Sequence, residues 1–178
     1  DHIFAVAMID LDGFKPANDR YGHAAGDAIL VEVSRRLQTL CATASCVARI
    51  GGDEFAILFE DAHEAGIYHE RAAAIRTILA LPYVVDEGMA SLSASIGVAC
   101  YPNDGRSLDT LLKSADSALY AEKAGQGDEC GDEDEVVRAQ VGQEKSGLFP
   151  GGAVPQLFTR SFFFSHIGRG FVGAEIMN

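Results

Sequence analysis

Acidic residues recur where this chain is expected to turn sharply. Asp10 and Asp12 follow an apolar run, and Asp53-Glu54 follows Gly51-Gly52. Carboxylate oxygens are hard ligands. Mg²⁺ is commonly held by one or two of them, with water and substrate phosphates completing its shell. A triphosphate brought to such an ion would have its α-phosphorus polarised for attack. Either acidic segment alone is an ordinary turn former. On neighbouring strands, Asp10 and Asp53 together predict a divalent-metal seat completed by a backbone carbonyl.

Other residues extend that chemistry. Gly51 and Gly52 clear side chains from a place where a ligand could approach backbone, and they equally suit a tight hairpin. Gly13-Phe14-Lys15 offers successive backbone N–H groups beside a cation, a weak pattern for holding polyphosphate. Asn18 and Asp27 offer an amide and a carboxylate, which together match the acceptor O6 and the donors N1–H and N2–H of guanine. Both also suit backbone capping in a loop. His23 has no partner at metal-ligand spacing, so a structural role is expected for it.

The elements that must position these residues follow from the apolar pattern. Ile3 to Ile9 is an unbroken apolar run, expected to be a strand buried on both faces and ending at Asp10. A polar stretch from Lys15 to Asp27 follows it. Leu30, Val33, Leu37 and Leu40 then recur at helical spacing. Val47–Ile50 and Phe55–Phe59 flank the glycine turn and read as a hairpin. A second helix carries Tyr68, Ala72, Ile75 and Leu79 and is ended by Pro82. Leu92–Cys100 reads as a strand. After the turn Pro102-Asn103-Asp104-Gly105, a third helix starts with Ser107 as its N-cap and carries Leu108, Leu111, Leu112, Ala115 and Leu119. The order β-α-β-β-α-β-α predicts an α+β sandwich, a mainly antiparallel ferredoxin-like sheet with helices packed on it. Residues 1–125 form that domain. Residues 126–178, with an acidic run from Asp128 to Glu135, are expected to be a poorly structured tail.

Composition narrows the partners. A hydrophobic share of 48% in 178 residues is that of a globular domain with a real core. The formal charge of −12 argues against a nucleic-acid polymer, which needs a basic footprint. It does not oppose binding of one nucleotide through a metal. Cys41, Cys46, Cys100 and Cys130 lack Cys-x-x-Cys spacing and read as small apolar residues in a reducing cytoplasm. No apolar run reaches membrane-spanning length, so no membrane contact is expected of this segment.

Gly51-Gly52-Asp53-Glu54-Phe55 resembles the signature that names the GGDEF family of bacterial diguanylate cyclases. Upstream, Asp10 to Asp19 and Tyr21 to Asp27 are similar to the family's blocks in order and spacing. So are Ser95 to Ala99 and Ala115 to Lys123. The resemblance implies condensation of two GTP into cyclic di-GMP and two pyrophosphates, with Mg²⁺ or Mn²⁺, across a homodimer. It implies Asp10, Asp53 and the Leu11 carbonyl as metal ligands. Asp53 would be the general base, Glu54 would help with a second metal or with the base role, and Lys15 would stabilise the transition state. Phe14, Lys15 and Lys123 would hold the phosphates, Gly51 and Gly52 would bind substrate, and Asn18 and Asp27 would read guanine. An alternative is a catalytically degenerate GTP-binding module that regulates a partner domain.

The chain departs from the family in three places. The helix that usually precedes the first strand is absent from this sequence, which starts at Asp1. The inhibitory product site, Arg-x-x-Asp, is matched by Ala42 and Ser45, so no product inhibition is expected there. Lys123 is followed by Ala124-Gly125-Gln126 where relatives carry Gly-Arg-Asn and a last strand, which makes an altered reading frame one explanation of the tail. The Tyr101-to-Gly105 turn resembles GGDEF domains joined to phosphodiesterase domains, so sensor or phosphodiesterase partners are expected in a longer parent.

Overall fold

A computed structural model describes residues 3–42, 44, 46–60, 66–86, 88–126 and 158–159. Strand β1 (Phe4–Asp12) leads into helices α1 (Phe14–Tyr21) and α2 (His23–Leu40). Strands β2 (Cys46–Arg49) and β3 (Glu54–Phe59) form the hairpin. Helix α3 (Gly66–Leu79) follows, then β4 (Tyr83–Val85), β5 (Gly88–Ala90), β6 (Ser93–Tyr101) and α4 (Leu108–Gln126). The short strand β7 (Phe158–Thr159) completes the order. The main sheet runs β6-β1-β3-β2-β7, and β4-β5 is a separate ribbon. All its pairings are antiparallel except β2 with β7. The expected α+β class is therefore observed, with four helices against the sheet among the described residues.

Burial explains the layering. Alternate residues of a strand point to opposite faces. Ala5, Ala7, Ile9 and Leu11 of β1 join one core with α2 and α3 through Ile29, Val33, Leu37, Tyr68 and Ile75. Phe4 and Val6 face the other way, against Leu111 and Ala115 of α4. β1 is covered on both sides by helices and flanked by β3 and β6, as its unbroken apolar run predicts. Helix α4 sits tightly on β6 because Gly97 has no side chain. A Cβ there would strike the Ala115 carbonyl and the Leu119 amide. Ser107 caps α4 as expected: the Thr110 amide donates to Ser107 Oγ at 3.3 Å, and the Ser107 amide donates to Thr110 Oγ1 at 3.1 Å.

Three expectations change. β1 does not stop at Asp10. It continues through Asp12, because Asp10 pairs with Glu54 and Ser95, and Asp12 pairs with Ser93. The polar stretch from Lys15 to Asp27 is helical, forming α1 and the start of α2. It shows no apolar period because α1 buries only Ala17. The β4-β5 ribbon was not expected, since its strands are only three residues each. The acidic run and most of the expected tail lie outside the described residues. So do Cys130 and Ser45 of the product-site pair, while Ala42 is exposed just after α2. No described helix is long and apolar enough to cross a membrane.

Candidate functional site

The site forms where β1 ends beside the β2–β3 turn. Asp10 and Asp12, two residues apart on one strand, present their carboxylates to the same side. Between them the Leu11 side chain is buried on the opposite face, and its amide donates to the Asp53 carbonyl at 3.2 Å. That bond ties the turn directly to the strand. The amides of Ile50 and Gly51 both donate to the Glu54 carbonyl, at 2.9 and 3.3 Å, and close the hairpin. Gly51 lies under the Glu54 carboxylate with no room for a Cβ, whereas Gly52 is exposed with open space beside it.

Helix α4 brings a cation to this corner. Lys123 Nζ stands 2.6 Å from Asp10 Oδ1 and 3.9 Å from Asp12 Oδ1. Burial pulls its ammonium down, but the hydrogen bond to Asp10 and the charges of Asp10, Asp12 and Asp53 outweigh it and raise its pKa. Three carboxylates thus share one neighbourhood with one ammonium. Their formal sum is two negative charges, an electrostatic well for a divalent cation. Among the described residues no three acidic, imidazole or thiol groups assemble into a protein-only cage. Mg²⁺ needs only one or two protein carboxylates, with water and phosphate as its other ligands, and the hard oxygens of Asp10, Asp53 and the backbone at Leu11 are of that type.

The phosphate loop becomes a helix start. Gly13 caps α1 at φ 81°, a left-handed conformation that suits glycine. The first intrahelical bond runs from Ala17 N to the Gly13 carbonyl at 3.0 Å. The amides of Phe14 and Lys15 precede it, so they have no partner within the helix. They point out of its N-terminus, where an anion is favoured. Lys15 is exposed beside them, and Phe14 is half-buried.

Asn18 and Asp27 flank the corner between α1 and α2. Asn18 lies across Gly26, where a Cβ would collide with Asn18 Oδ1, and Asp27 follows Gly26 directly. His23, expected to be structural, meets Asn18. Its Nδ1 is 2.9 Å from Asn18 Nδ2.

Two contributors escaped the sequence reading. Arg49 Nε donates to the carbonyls of Gly51 and Gly52, at 3.1 Å each, and Nη2 donates to Gly52 at 2.7 Å. Ser95, fully buried, donates from Oγ to Asp12 Oδ2 at 2.8 Å. Arg49 could have been suspected as a cation immediately before a glycine turn. Ser95 could not, because its partner is 83 residues away in sequence.

Comparison with known proteins places this arrangement. The family model described as "Diguanylate cyclase, GGDEF domain" matches residues 1–129. The chain belongs to the GGDEF family. It is 42% identical over 123 residues to MucR of Pseudomonas aeruginosa, named a bifunctional diguanylate cyclase/cyclic di-GMP phosphodiesterase. That match takes in 69% of this chain and 18% of MucR. The solved GGDEF domain of TpbB from the same organism superposes with a TM-score of 0.66 at 37% identity. The match covers 70% of this chain and 78% of that one. Full-length TpbB is named a diguanylate cyclase, and the match spans 28% of it. The biofilm architecture maintenance protein MbaA of Vibrio cholerae is 35% identical over 201 aligned positions, 99% of this chain and 24% of MbaA. The chain spans less than a third of each of these curated relatives.

Proposed function

We propose that this GGDEF domain is a diguanylate cyclase, joining two GTP into cyclic di-GMP with release of two pyrophosphates. The observation that carries the reading is the meeting of Asp10, Asp12 and Asp53 around Lys123, beside an intact Gly-Gly turn. Its relatives TpbB and MucR carry the cyclase name.

In this reading Asp10 and Asp53, with the Leu11 carbonyl, hold Mg²⁺ or Mn²⁺. When bound, the ion polarises the α-phosphate and offsets its charge. The chain's own residues do the rest. The α1 N-terminus and Lys15 receive the triphosphate, and Lys15 stabilises charge that builds on it. Lys123 exchanges its carboxylate partner for a phosphate. Asn18 and Asp27 read guanine. Asp53, assisted by Glu54, takes the proton from a ribose 3′-hydroxyl. That oxygen forms a bond to the α-phosphorus of the GTP held by a second copy, and pyrophosphate leaves. The displacement is in line and needs the two domains face to face. Sensor or phosphodiesterase domains in a longer parent would set when they meet.

The test is incubation with GTP and Mg²⁺ or Mn²⁺, with nucleotides resolved by chromatography. Wild type is expected to form cyclic di-GMP, and Asp53→Ala to lose at least ~100-fold in rate, as removal of a general base does. GTP binding by wild type without any turnover would point instead to a regulatory module.

A further inference from the structure

We propose that Asp12, held by the buried hydroxyl of Ser95, is a positioning residue that keeps Lys123 in the site when Asp10 turns to a divalent ion. The proposal rests on the reading above, in which Asp10 holds that ion and Lys123 meets the triphosphate, and it gives Asp12 and Ser95 a task there. One face of the sheet grades from apolar to charged. Phe4, Val6 and Met8 of β1 pack under α4. Asp10 and Asp12 continue the same alternation. On β6, Tyr101 and Ala99 share that face, and Ser95 continues it beyond Gly97. Ser95 is paired across the ladder with Asp10, yet its Oγ donates to the diagonal neighbour, Asp12 Oδ2, at 2.8 Å. Were the position only to be filled, alanine would serve, as it does at the buried Ala94 and Ala99 of the same strand. A fully buried hydroxyl needs an acceptor, and the one it meets is Asp12.

That bond engages Oδ2 and leaves Oδ1 toward Lys123. Asp12 Oδ1 is 3.9 Å from Lys123 Nζ, whereas Asp10 Oδ1 is at 2.6 Å. An ammonium and a divalent ion repel each other and compete for the same carboxylate oxygens. With Asp10 given to the ion, Lys123 loses its short bond. Its side chain is 37% exposed, so it would otherwise turn to solvent. Asp12, pinned through Oδ2 by Ser95, is the carboxylate that stays in reach. The lysine stem is flexible, and a movement of about 1 Å at its tip brings the pair to the ~2.8 Å of a charge-assisted bond. The ammonium then remains beside the phosphates.

The test is calorimetric binding to the full chain, with Mg²⁺ present, of GMP and of a GTP analogue whose α,β-bridge is methylene and which cannot release pyrophosphate. The ratio of the two affinities isolates the grip on the outer phosphates. Lys123→Met is expected to lower that ratio about tenfold and Ser95→Ala about fivefold, the range of one hydrogen bond to a charged group. In the Lys123→Met background Ser95→Ala should add little, because Ser95 acts through the ammonium. Ser95→Thr retains the hydroxyl and should keep most of the ratio. A merely structural Ser95 would weaken both ligands alike. A ratio unchanged in Ser95→Ala, or lowered by the same factor with and without Lys123, overturns the proposal. If Lys123→Met itself leaves the ratio unchanged, the phosphate contact of the underlying reading is wrong and the proposal falls with it. If Lys123→Met lowers the ratio while Ser95→Ala does not, that contact stands and only the role of Asp12 and Ser95 is wrong. Thermal melts check folding, and Ser95→Ala deletes a single oxygen, so its melt is expected to stay above the temperature of the binding experiment.

Discussion

At the scale of single residues, the hairpin turn is held by a side chain outside its signature. Arg49 spans the carbonyls of Gly51 and Gly52 with a planar fork of donors. Those carbonyls lie immediately before Asp53, the proposed base. Glycines alone leave a turn many conformations, so a clamp that removes that freedom holds the backbone from which Asp53 projects. Arg49→Ala is expected to reduce cyclic di-GMP formation about tenfold or more, from loss of pre-organised geometry. Arg49→Lys should recover little, because an ammonium cannot engage both carbonyls through a rigid fork. Initial rates with GTP check this, alongside a denaturation curve to show that the fold survives. Equal rates in wild type and Arg49→Ala would mean that the turn holds itself.

At the scale of elements, helix contacts with the sheet and with each other carry two measurable consequences. Helix α4 can deliver Lys123 only because Gly97 lets it lie close on β6. Gly97→Ala should force backbone apart and destabilise the domain by roughly 1–3 kcal/mol, the usual range for overpacking. Urea denaturation gives the shift, and an unchanged midpoint would show that α4 moves freely. On the opposite face, Arg36 joins α2 to the end of α3 and the chain that follows it. Its guanidinium donates to the carbonyls of Ile78, Leu81 and Pro82, at 3.0, 2.6 and 2.8 Å, and covers the Tyr83 ring. Glu32 anchors it at 2.9 Å. The hydrogen bond from Arg35, with a further one from Arg36, holds the Glu32 carboxyl down at about 2 against an ordinary 4.5. A depressed carboxylate stabilises the fold above its unfolded pKa, and that contribution is lost as pH falls through the folded value. Glu32→Gln should therefore be about 1 kcal/mol less stable than wild type near neutral pH. The gap should close as pH drops from about 4.5 toward 2. Denaturation midpoints across that window measure it. These elements were unevenly legible in the sequence. The buried strand, the hairpin and the periodic helices were readable because burial writes a regular apolar pattern. Helix α1 was not, since it buries one residue. The end of β1 was missed because Asp10 and Asp12 look like a turn until partners from β3 and β6 extend the ladder. The carboxylates could be picked out by type. Their clasp by Lys123 and Ser95, and the hold of Arg49 on the turn carbonyls, depend on contacts that only folding creates.

At the scale of the whole molecule, the proposed reaction makes one copy an incomplete catalyst. A single domain offers one base, one phosphate loop and one base-reading corner, so it can position one GTP. The 3′-oxygen held by one copy must reach the α-phosphorus held by another. The productive species is then a pair, and its abundance rises with the square of protein concentration while monomers predominate. Charge modulates that encounter. Each copy carries a formal −12, so two copies repel. Salt screens this repulsion, with a Debye length falling from about 30 Å at 0.01 M to about 10 Å at 0.1 M. Initial rates at saturating GTP and metal should thus climb with slope near two on a logarithmic plot against protein concentration. At fixed dilute protein, raising monovalent salt over that range should increase the rate by encouraging association. An enzyme that completed its site within one chain would give slope one at every salt concentration. Its rate would not rise with screening, because no second acidic body would need to approach. The pair of measurements distinguishes a half-site that waits for its partner from a self-sufficient pocket. Relatives that carry this domain within chains several times longer could meet the same requirement by bringing two copies together through their other segments.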